Sequence, residues 1–340
     1  MATTINILNS TTFKSSKPDA AIFTNGGKNI TIKNISFTSN DFTSVGFAAY
    51  SSSTNGQVKN IKMYGNATNK CGLVWVSPAN GFSYNRVDEP SSGWDQTGPV
   101  YTTDIAEDVH IFNNYIKGDM TLQLADFNTN RPSGVSLLYC KNSSAKNNTI
   151  SHTYFGIWAY GGGTLSSDKM HNTVNPIFSK NIDISYNTVD TNFSPFWASR
   201  VESAKINFNT SVDTLDVAAD FEGCINSVAH GNIITNSNGG ALTPLNGCNN
   251  IKFIGNTVVY NKDTTQNNNN ILVKNASDNI EYTRNSLVRT GNFKGKLQFE
   301  SNNGIRGSNN VVFKYNTITN VFLRNTNNSD VSLDSTNVIT

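Results

Sequence analysis

The chain has 340 residues, with 26 Lys and Arg against 24 Asp and Glu, so its formal net charge at pH 7 is +2. This balance argues against a strongly basic nucleic-acid-binding protein and gives no electrostatic reason to expect an anionic membrane surface as a partner. Only 37% of the residues are hydrophobic, but 19 Phe, 12 Tyr and 4 Trp supply enough apolar surface for a core, which argues against intrinsic disorder.

The N-terminal segment and the cysteines give two further expectations. The residues after Met1 are polar, with neither a basic region nor an apolar stretch, so no signal peptide is predicted. No apolar run approaches the length of a membrane span, so no membrane insertion is expected. The four cysteines lack metal-binding spacing and are too few for a disulfide framework. We therefore expect no metal and no cofactor.

A repeated pattern runs through the chain. It consists of Asn, Ile or Val, any residue, an apolar residue, two spacers, a second Asn, any residue, and Ile, Val or Leu. Clear copies occupy residues 181–189, 250–258, 279–287 and 310–318. Weaker copies place the second Asn at Asn66, Asn114, Asn148, Asn209 and Asn232, and an early copy has Ile35 in that position. The shortest spacing, from Asn187 to Asn209, is 22 residues.

The apolar positions within this repeat have a period of two, which predicts β-strands. A unit of 22 to 24 residues with short strands is typical of one coil of a parallel β-helix. The repeated Asn would then hydrogen-bond its equivalent in the next coil, and longer spacings would hold inserted loops. We predict about ten to eleven coils over residues 21–320, with an N-terminal cap at 1–20 and a C-terminal end at 321–340. A β-sandwich is the alternative.

These repeats resemble the right-handed parallel β-helix superfamily of pectate lyases, polygalacturonases and phage tailspikes. The resemblance covers about residues 20–320 and implies an all-β, single-stranded solenoid. The segment 220–224, followed by Asn226 and the sequence Gly-Gly-Ala-Leu at 239–242, is similar to a segment of phage tailspikes. In that family an acidic pair often lies in a glycan-cleaving groove, and the protein is usually a homotrimer. The paired Asp-Asp and Gly-His-Gly pattern of polygalacturonases is absent.

The strand that precedes each repeat is predicted to present two columns of side chains inward, 11 and 13 positions before the second Asn, and two columns outward. One outward column would contain Trp158, Trp197, Asp220 and Pro244, and its neighbour Tyr160, Ser199, Glu222 and Asn246. We expect Trp158, Trp197 and Tyr160 to be platforms for sugar rings, and Ser199, Arg200 and Asn246 to complete the substrate-binding set. Alternatively, loops 161–175 and 191–195 cover the two Trp side chains. Cys140, Cys224 and Cys248 are expected in an inward stack.

Asp220 and Glu222 are the candidate catalytic residues. Two carboxyls on one face of a strand can lie roughly 5 to 9 Å apart, which covers both inverting and retaining glycosidases. One would act as the general acid while the other activates water or attacks the sugar. Alternatively, they are solvated surface acids, or are bound by Arg200 or Lys205.

The carboxyl pair predicts a glycoside hydrolase. The resemblance to phage tailspikes implies that it is part of an extracellular virion tail and depolymerises a bacterial capsule or O-antigen. Two alternatives remain open. One is a polysaccharide lyase that uses His152, His171, Arg200 or Tyr160, and the other is a receptor-binding protein that holds glycan without cleaving it. The insertion at 76–107 lacks the repeat and would be an arm over the groove or a subunit contact.

Overall fold

The structure is a computed structural model that describes residues 3–7, 20–39, 44–52, 54, 56–78, 105–119, 133–161, 179–190, 193–262, 269–290, 294–301 and 305–340. All regular structure within these ranges is β-strand. None of the described residues forms a helix long and apolar enough to cross a membrane.

The strands form three sheets, and each complete coil adds one strand to every sheet. Sheet 1 has twelve strands: β1 (Thr3–Ile7), β4 (Ile35–Ser39), β7 (Ala67–Asn69), β10 (Tyr115–Lys117), β13 (Thr149–Ser151), β16 (Thr188–Asp190), β20 (Thr210–Thr214), β23 (Ile233–Ser237), β26 (Thr257–Tyr260), β29 (Ser286–Arg289), β32 (Thr317–Thr319) and β35 (Val338–Ile339).

Sheet 2 has eleven strands: β2 (Ala20–Asn25), β5 (Val45–Ser51), β8 (Gly72–Pro78), β11 (Ser133–Leu138), β14 (Phe155–Tyr160), β17 (Ser194–Ser199), β21 (Val217–Glu222), β24 (Gly240–Leu245), β27 (Asn269–Lys274), β30 (Gly295–Glu300) and β33 (Val321–Asn325).

Sheet 3 has twelve strands along its main path or beside it: β3 (Gly27–Lys33), β6 (Val58–Tyr64), β9 (Ala106–Phe112), β12 (Cys140–Lys146), β15 (Ser179–Ser185), β18 (Val201–Glu202), β19 (Lys205–Asn207), β22 (Ile225–His230), β25 (Asn249–Ile254), β28 (Asp278–Thr283), β31 (Val311–Lys314) and β34 (Val331–Leu333). The short strand β19 pairs with β15 and β22.

Strands that neighbour one another in a sheet come from successive coils and pair in parallel, as β14 does with β17 and β17 with β21. Parallel strands joined by crossover connections wind with a right-handed sense. The predicted fold is therefore confirmed: the chain is a right-handed parallel β-helix, and the sheets of eleven and twelve strands agree with the expected ten to eleven coils.

The inward side chains form one continuous hydrophobic core along the axis. Its rings stack where the coils place aromatics in register, as Phe253, Tyr282 and Phe313 do at centroid distances of 4.8 and 4.6 Å. The predicted inward placement of Cys140, Cys224 and Cys248 is confirmed, and Cys71 joins them in this core. Burial raises the pKa of the Cys71 and Cys224 thiols to about 12, so both are unreactive core groups.

The predicted asparagine ladder is also confirmed. From Asn66 to Asn316, the side-chain amide of each repeated Asn donates to Oδ1 of the equivalent Asn one coil further on, at 2.8–3.0 Å. The same oxygen accepts a backbone N–H, and at the N-terminal end Oδ1 of Asn66 accepts the N–H of Ile35. The ladder ends at Asn337, which the repeat pattern did not include. Because each amide is satisfied, the ladder is compatible with the buried interior.

Strand pairing continues through both segments that we assigned to the ends. Strand β1 pairs with β4, and β33, β34 and β35 add a last coil within residues 321–340. Within the insertion at 76–107, residues 76–78 belong to β8 and residues 106–107 to β9. Residues 79–104 lie outside the described residues, so their expected role stays a prediction.

Candidate functional site

The outer face of sheet 2 carries the predicted site residues. Ile157, Ala159, Phe196, Ala198 and Phe221 belong to the inward core, so the residues that alternate with them point outward. The register aligns Trp158 with Trp197 and then with Asp220, and Tyr160 with Ser199 and then with Glu222. Both predicted columns are therefore confirmed over these three coils.

The prediction is wrong at the next coil. Asp220 pairs with Thr243, Phe221 with Pro244, and Glu222 with Leu245. Pro244 therefore faces the core, and the outward positions belong to Thr243 and Leu245.

The cause is one extra residue in the corner between sheets 2 and 3. Three positions separate Glu222 from Ile225, but four separate Leu245 from the aligned Asn249. Counting back from the ladder residue Asn256 therefore shifts the register by one. Asn246 lies in this corner with a φ of 55°, and its Oδ1 accepts a hydrogen bond from Asn275 at 2.8 Å. It is outside the outward columns in which we expected it to bind substrate.

The two Trp side chains point outward but are buried, with exposures of 2% for Trp158 and 3% for Trp197. Their rings lie parallel at a centroid distance of 5.3 Å, and Phe155 contacts Trp197 at 4.5 Å. They belong to a second hydrophobic cluster, which we call the outer cluster: Val45, Ala48, Tyr50, Trp75, Leu138, Tyr139, Tyr154, Phe155, Trp158, Tyr160 and Trp197.

The expectation of solvent-exposed sugar platforms is wrong for Trp158, Trp197 and Tyr160, because these side chains are 1–3% exposed. When two rings stack one coil apart, the face that each ring packs against the other is not available to a ligand. Their burial agrees with the alternative expectation, in which other residues of the chain cover the two Trp side chains. Of the loops expected to cover them, residues 162–175 and 191–192 lie outside the described residues, and Phe193 packs against the outer cluster.

The two carboxylates occupy unlike surroundings. Asp220 is 4% exposed and lies between Trp197 and Thr243 in its column, whereas Glu222 is half-buried between Ser199 and Leu245. The outward direction of both is confirmed, but the alternative of two solvated surface acids does not hold for Asp220. Lys205 lies on sheet 3, where it pairs with Asp183 and Val228, and not on this face.

Arg200 occupies the corner at the end of β17 and is fully buried. Its backbone N–H donates to the carbonyl of Glu222 at 2.7 Å, and its guanidinium hydrogen-bonds the hydroxyl of Tyr160. Burial raises the pKa of Tyr160; the charge of Glu222 adds to this rise and Arg200 opposes it. Arg200, Tyr160 and Glu222 therefore form one electrostatically coupled group.

Tyr139 is a neighbour of this group that the sequence analysis did not select. Its ring meets that of Tyr160 edge-on at 5.9 Å, and burial raises the pKa of its hydroxyl far above the ordinary value. Tyr139 directly precedes Cys140, and Gly223 directly precedes the equivalent Cys224. Aligning the coils on these cysteines would therefore have placed Tyr139 at the same corner as Gly223.

His152, which we also considered for a lyase, is not brought to this group. His152 lies in the corner between β13 and β14, at the start of the sheet-2 strand that ends at Tyr160. His171 lies outside the described residues. Among the described side chains, no group of three or more His, Cys, Asp or Glu is arranged to hold a metal ion.

No protein-family model and no curated protein matches the chain. Solved structures of similar fold include the catalytic unit of a GH87 α-1,3-glucanase from Streptomyces thermodiastaticus strain HF3-3. It has a TM-score of 0.54 and 12% identity over 94% of this chain and 57% of that one. A variant of the periplasmic alginate epimerase AlgG has a TM-score of 0.50 and 12% identity over 94% and 76%. A DFA-IIIase from Arthrobacter chlorophenolicus A6 has a TM-score of 0.47 and 8% identity over 94% and 84%. At these identities, the similarity to the glucanase and the epimerase establishes the fold alone.

Proposed function

We propose that the chain is a polysaccharide depolymerase that hydrolyses glycosidic bonds with Asp220 and Glu222. The observation that carries this proposal is the position of both carboxyls on the outer face of β21, one almost buried and one half-buried. Unlike surroundings give two carboxyls different pKa values. One can then be protonated and act as the acid near neutral pH while the other is ionised and acts as the base.

The chemistry follows from two carboxyls that flank one bond. One carboxyl gives its proton to the oxygen of the leaving sugar as the glycosidic bond breaks. The other either takes a proton from a water molecule that attacks the sugar carbon, or attacks that carbon itself to form an ester that water then hydrolyses. Cβ atoms two residues apart on a strand are about 6.5–7 Å apart, and side-chain rotation permits either route.

The fold relatives support a carbohydrate substrate. The catalytic unit of a GH87 α-1,3-glucanase and a variant of an alginate epimerase have this fold, with TM-scores of 0.54 and 0.50 to this chain. We place the target among bacterial surface polysaccharides and the chain in a homotrimeric phage tailspike, because the segment 220–224 with Gly239-Gly240-Ala241-Leu242 is similar to a tailspike segment.

A second candidate is β-elimination by a polysaccharide lyase. The hydrogen bond between Arg200 and Tyr160 favours it, because a lyase needs a base near the sugar and a cation beside the uronate carboxylate. Against it, Tyr160 is held protonated by its raised pKa, so it is a poor base.

Purified bacterial capsules and O-antigens provide the test. The protein should lower the viscosity of at least one of them and release reducing ends without the ultraviolet absorbance of an unsaturated uronate. Asp220→Asn and Glu222→Gln should each lose at least about 100-fold in rate, the scale of general acid–base catalysis. Glu202→Gln is the matched control, because Glu202 lies on sheet 3 in an ion pair with Lys180 at 2.6 Å. Full activity in both carboxylate variants would remove the proposal.

A further inference from the structure

Three aromatic side chains from successive coils form a strip at the corner between sheets 3 and 1, which we call the corner strip: Tyr186, Phe208 and His230. The Phe208 ring stacks on the Tyr186 ring at 5.2 Å with 13° between their planes, and it contacts the His230 ring at 4.8 Å. Tyr186 and Phe208 are 55% and 43% exposed. Each coil passes from sheet 2 to sheet 3 and then to sheet 1, so the corner strip lies away from the face that carries the two carboxyls.

The backbone at this corner does not favour large side chains. The residue directly before the ladder Asn has a positive φ, 61° at Tyr186 and 54° at Phe208. The preceding coil has Asn147 at this position and the following coil has Gly231, and these residue types adopt the conformation readily. An exposed bulky ring gains little from burial and is disfavoured at positive φ, so the stability of the coil does not explain the two rings. Residues held in such conformations are typical of functional sites.

The Tyr186 ring has one face that a ligand can use. Its other face packs on Phe208, and the Phe208 ring lies against Gly231 on its far side, where a Cβ would come within 2.6 Å of it. Because Tyr186 is 55% exposed although Phe208 covers one face, the other face is open. That face is directed toward the preceding coil, in which the exposed Asn147 occupies the equivalent position.

A second exposed tyrosine lies on the other side of this preceding coil. Tyr115 is 53% exposed and begins β10. It aligns with Thr149 one coil further on and with Thr188 two coils further on. Tyr115 and Thr149 point outward, because they alternate with the core residues Ile116 and Ile150. The two exposed tyrosines are therefore two coils, about 9.6 Å, apart along the axis.

We propose that Tyr115 and Tyr186 form an accessory binding site for a polysaccharide chain, separate from the carboxyl pair. The inference rests on the proposed function, which supplies the class of ligand. The face of an aromatic ring packs against the C–H groups of a sugar ring, while the sugar hydroxyls need polar neighbours. Asn147 and Thr149 are exposed between the two tyrosines, and their side chains both donate and accept hydrogen bonds.

The polar residues between the rings favour a sugar over a protein as the ligand. The centre of a protein interface is a contiguous, mainly apolar surface, whereas Asn147 and Thr149 interrupt the apolar surface here. The neighbouring cation Lys146 is held by Asp183 at 2.6 Å. The site therefore matches neutral sugar units of the polysaccharide.

The test measures binding of the purified capsules and O-antigens by the retardation of the protein in gels that contain them. Glu222→Gln is the background, so that the ligand is not cleaved, and at least one polysaccharide should retard it. Tyr186→Asn and Tyr115→Thr should each raise Kd at least about 5-fold, the scale of one aromatic contact. Each substitution introduces the residue that a neighbouring coil has at the same position, Asn147 or Thr149, so both variants should fold.

Tyr315→Asn is the matched control. Tyr315 also directly precedes a ladder Asn, with a φ of 57° and an exposure of 57%. It lies five coils from Tyr186 along the ladder, and the guanidinium of Arg284 lies 5.9 Å from its ring. This variant should bind polysaccharide as tightly as the background.

The outcomes separate the accessory site from the proposed function. Background affinity in both Tyr186→Asn and Tyr115→Thr, an equal loss in Tyr315→Asn, or no retardation by any polysaccharide would overturn the inference. A lower mass in solution for Tyr186→Asn without polysaccharide would assign the corner to a second copy of the chain and would also overturn it. Cleavage is judged independently, because full activity in both Asp220→Asn and Glu222→Gln would overturn the proposed function and leave the binding result unchanged.

Discussion

Trp158 and Trp197 lie on successive coils of sheet 2 with ring planes 6° apart and centroids 5.3 Å apart. Trp75 meets Trp158 edge-on at 6.0 Å, and Phe155 contacts both stacked rings. Together with Trp75, the stacked pair packs strands β8, β14 and β17 against one another on the outside of the solenoid. The inward stacked rings do the same on the inside.

Truncation of this stack should cost stability. Trp197→Ala should reduce the free energy of unfolding by about 3–5 kcal/mol, because a buried aromatic side chain leaves a cavity. Urea-induced unfolding followed by circular dichroism measures the loss. The exposed Phe208, whose ring stacks on Tyr186 at 5.2 Å, provides a control in Phe208→Ala, which should lose clearly less. If Trp197→Ala instead keeps wild-type stability and loses only glycan binding, the platform interpretation returns.

The asparagine ladder gives a second stability prediction. Asn232→Ala removes the acceptor used by the backbone and side-chain N–H groups of Asn209 and the donor to the carbonyl of Ile206. These groups are buried, so the variant should lose roughly 2–5 kcal/mol of unfolding free energy.

The chain offers a matched control for the ladder. Asn250 donates to Asn226 at 2.8 Å in an exposed asparagine pair, and it has a φ of 57°. Glycine tolerates this backbone conformation, so Asn250→Gly should lose less than about 1 kcal/mol. If Asn232→Ala and Asn250→Gly lost similar unfolding free energy, burial of the ladder would not explain its contribution to stability.

His110 predicts a pH dependence of stability. Burial lowers the pKa of its imidazole, with Lys62 and Lys146 adding to the effect and Asp108 opposing it. The unfolded chain therefore takes up a proton at higher pH than the folded chain, so unfolding becomes easier as the pH falls through the ordinary value of 6.5. Unfolding free energy measured from pH 7.5 to 5.5 should decrease, and His110→Asn should flatten that part of the profile. An equal slope in the variant would rule out this histidine as the cause.

The fold was predictable because it repeats. The ladder Asn recurs in successive coils from Asn66 to Asn337, and the period of two in Ile182 and Ile184 follows from one buried face. The site was predictable only over coils whose corners have equal length; a single added residue before Cys248 moved Asn246 out of the outward column. The alternating sequence pattern could not predict that Trp158 and Trp197 are buried. It predicts which way a side chain points from the strand, but not which residues cover that side chain.

Tyr160→Phe distinguishes hydrolysis from β-elimination at this site. The change removes the hydroxyl that hydrogen-bonds Arg200 and leaves the ring in the outer cluster. If Asp220 and Glu222 carry the reaction, the variant should keep cleavage within about 10-fold, since it loses only a neighbour of the reacting groups. If Tyr160 is the acid or base of an elimination, the rate should fall by at least about 100-fold. The matched variant Tyr139→Phe removes a buried hydroxyl beside the same ring, so a loss in Tyr160→Phe that Tyr139→Phe does not share would assign the chemistry to Tyr160.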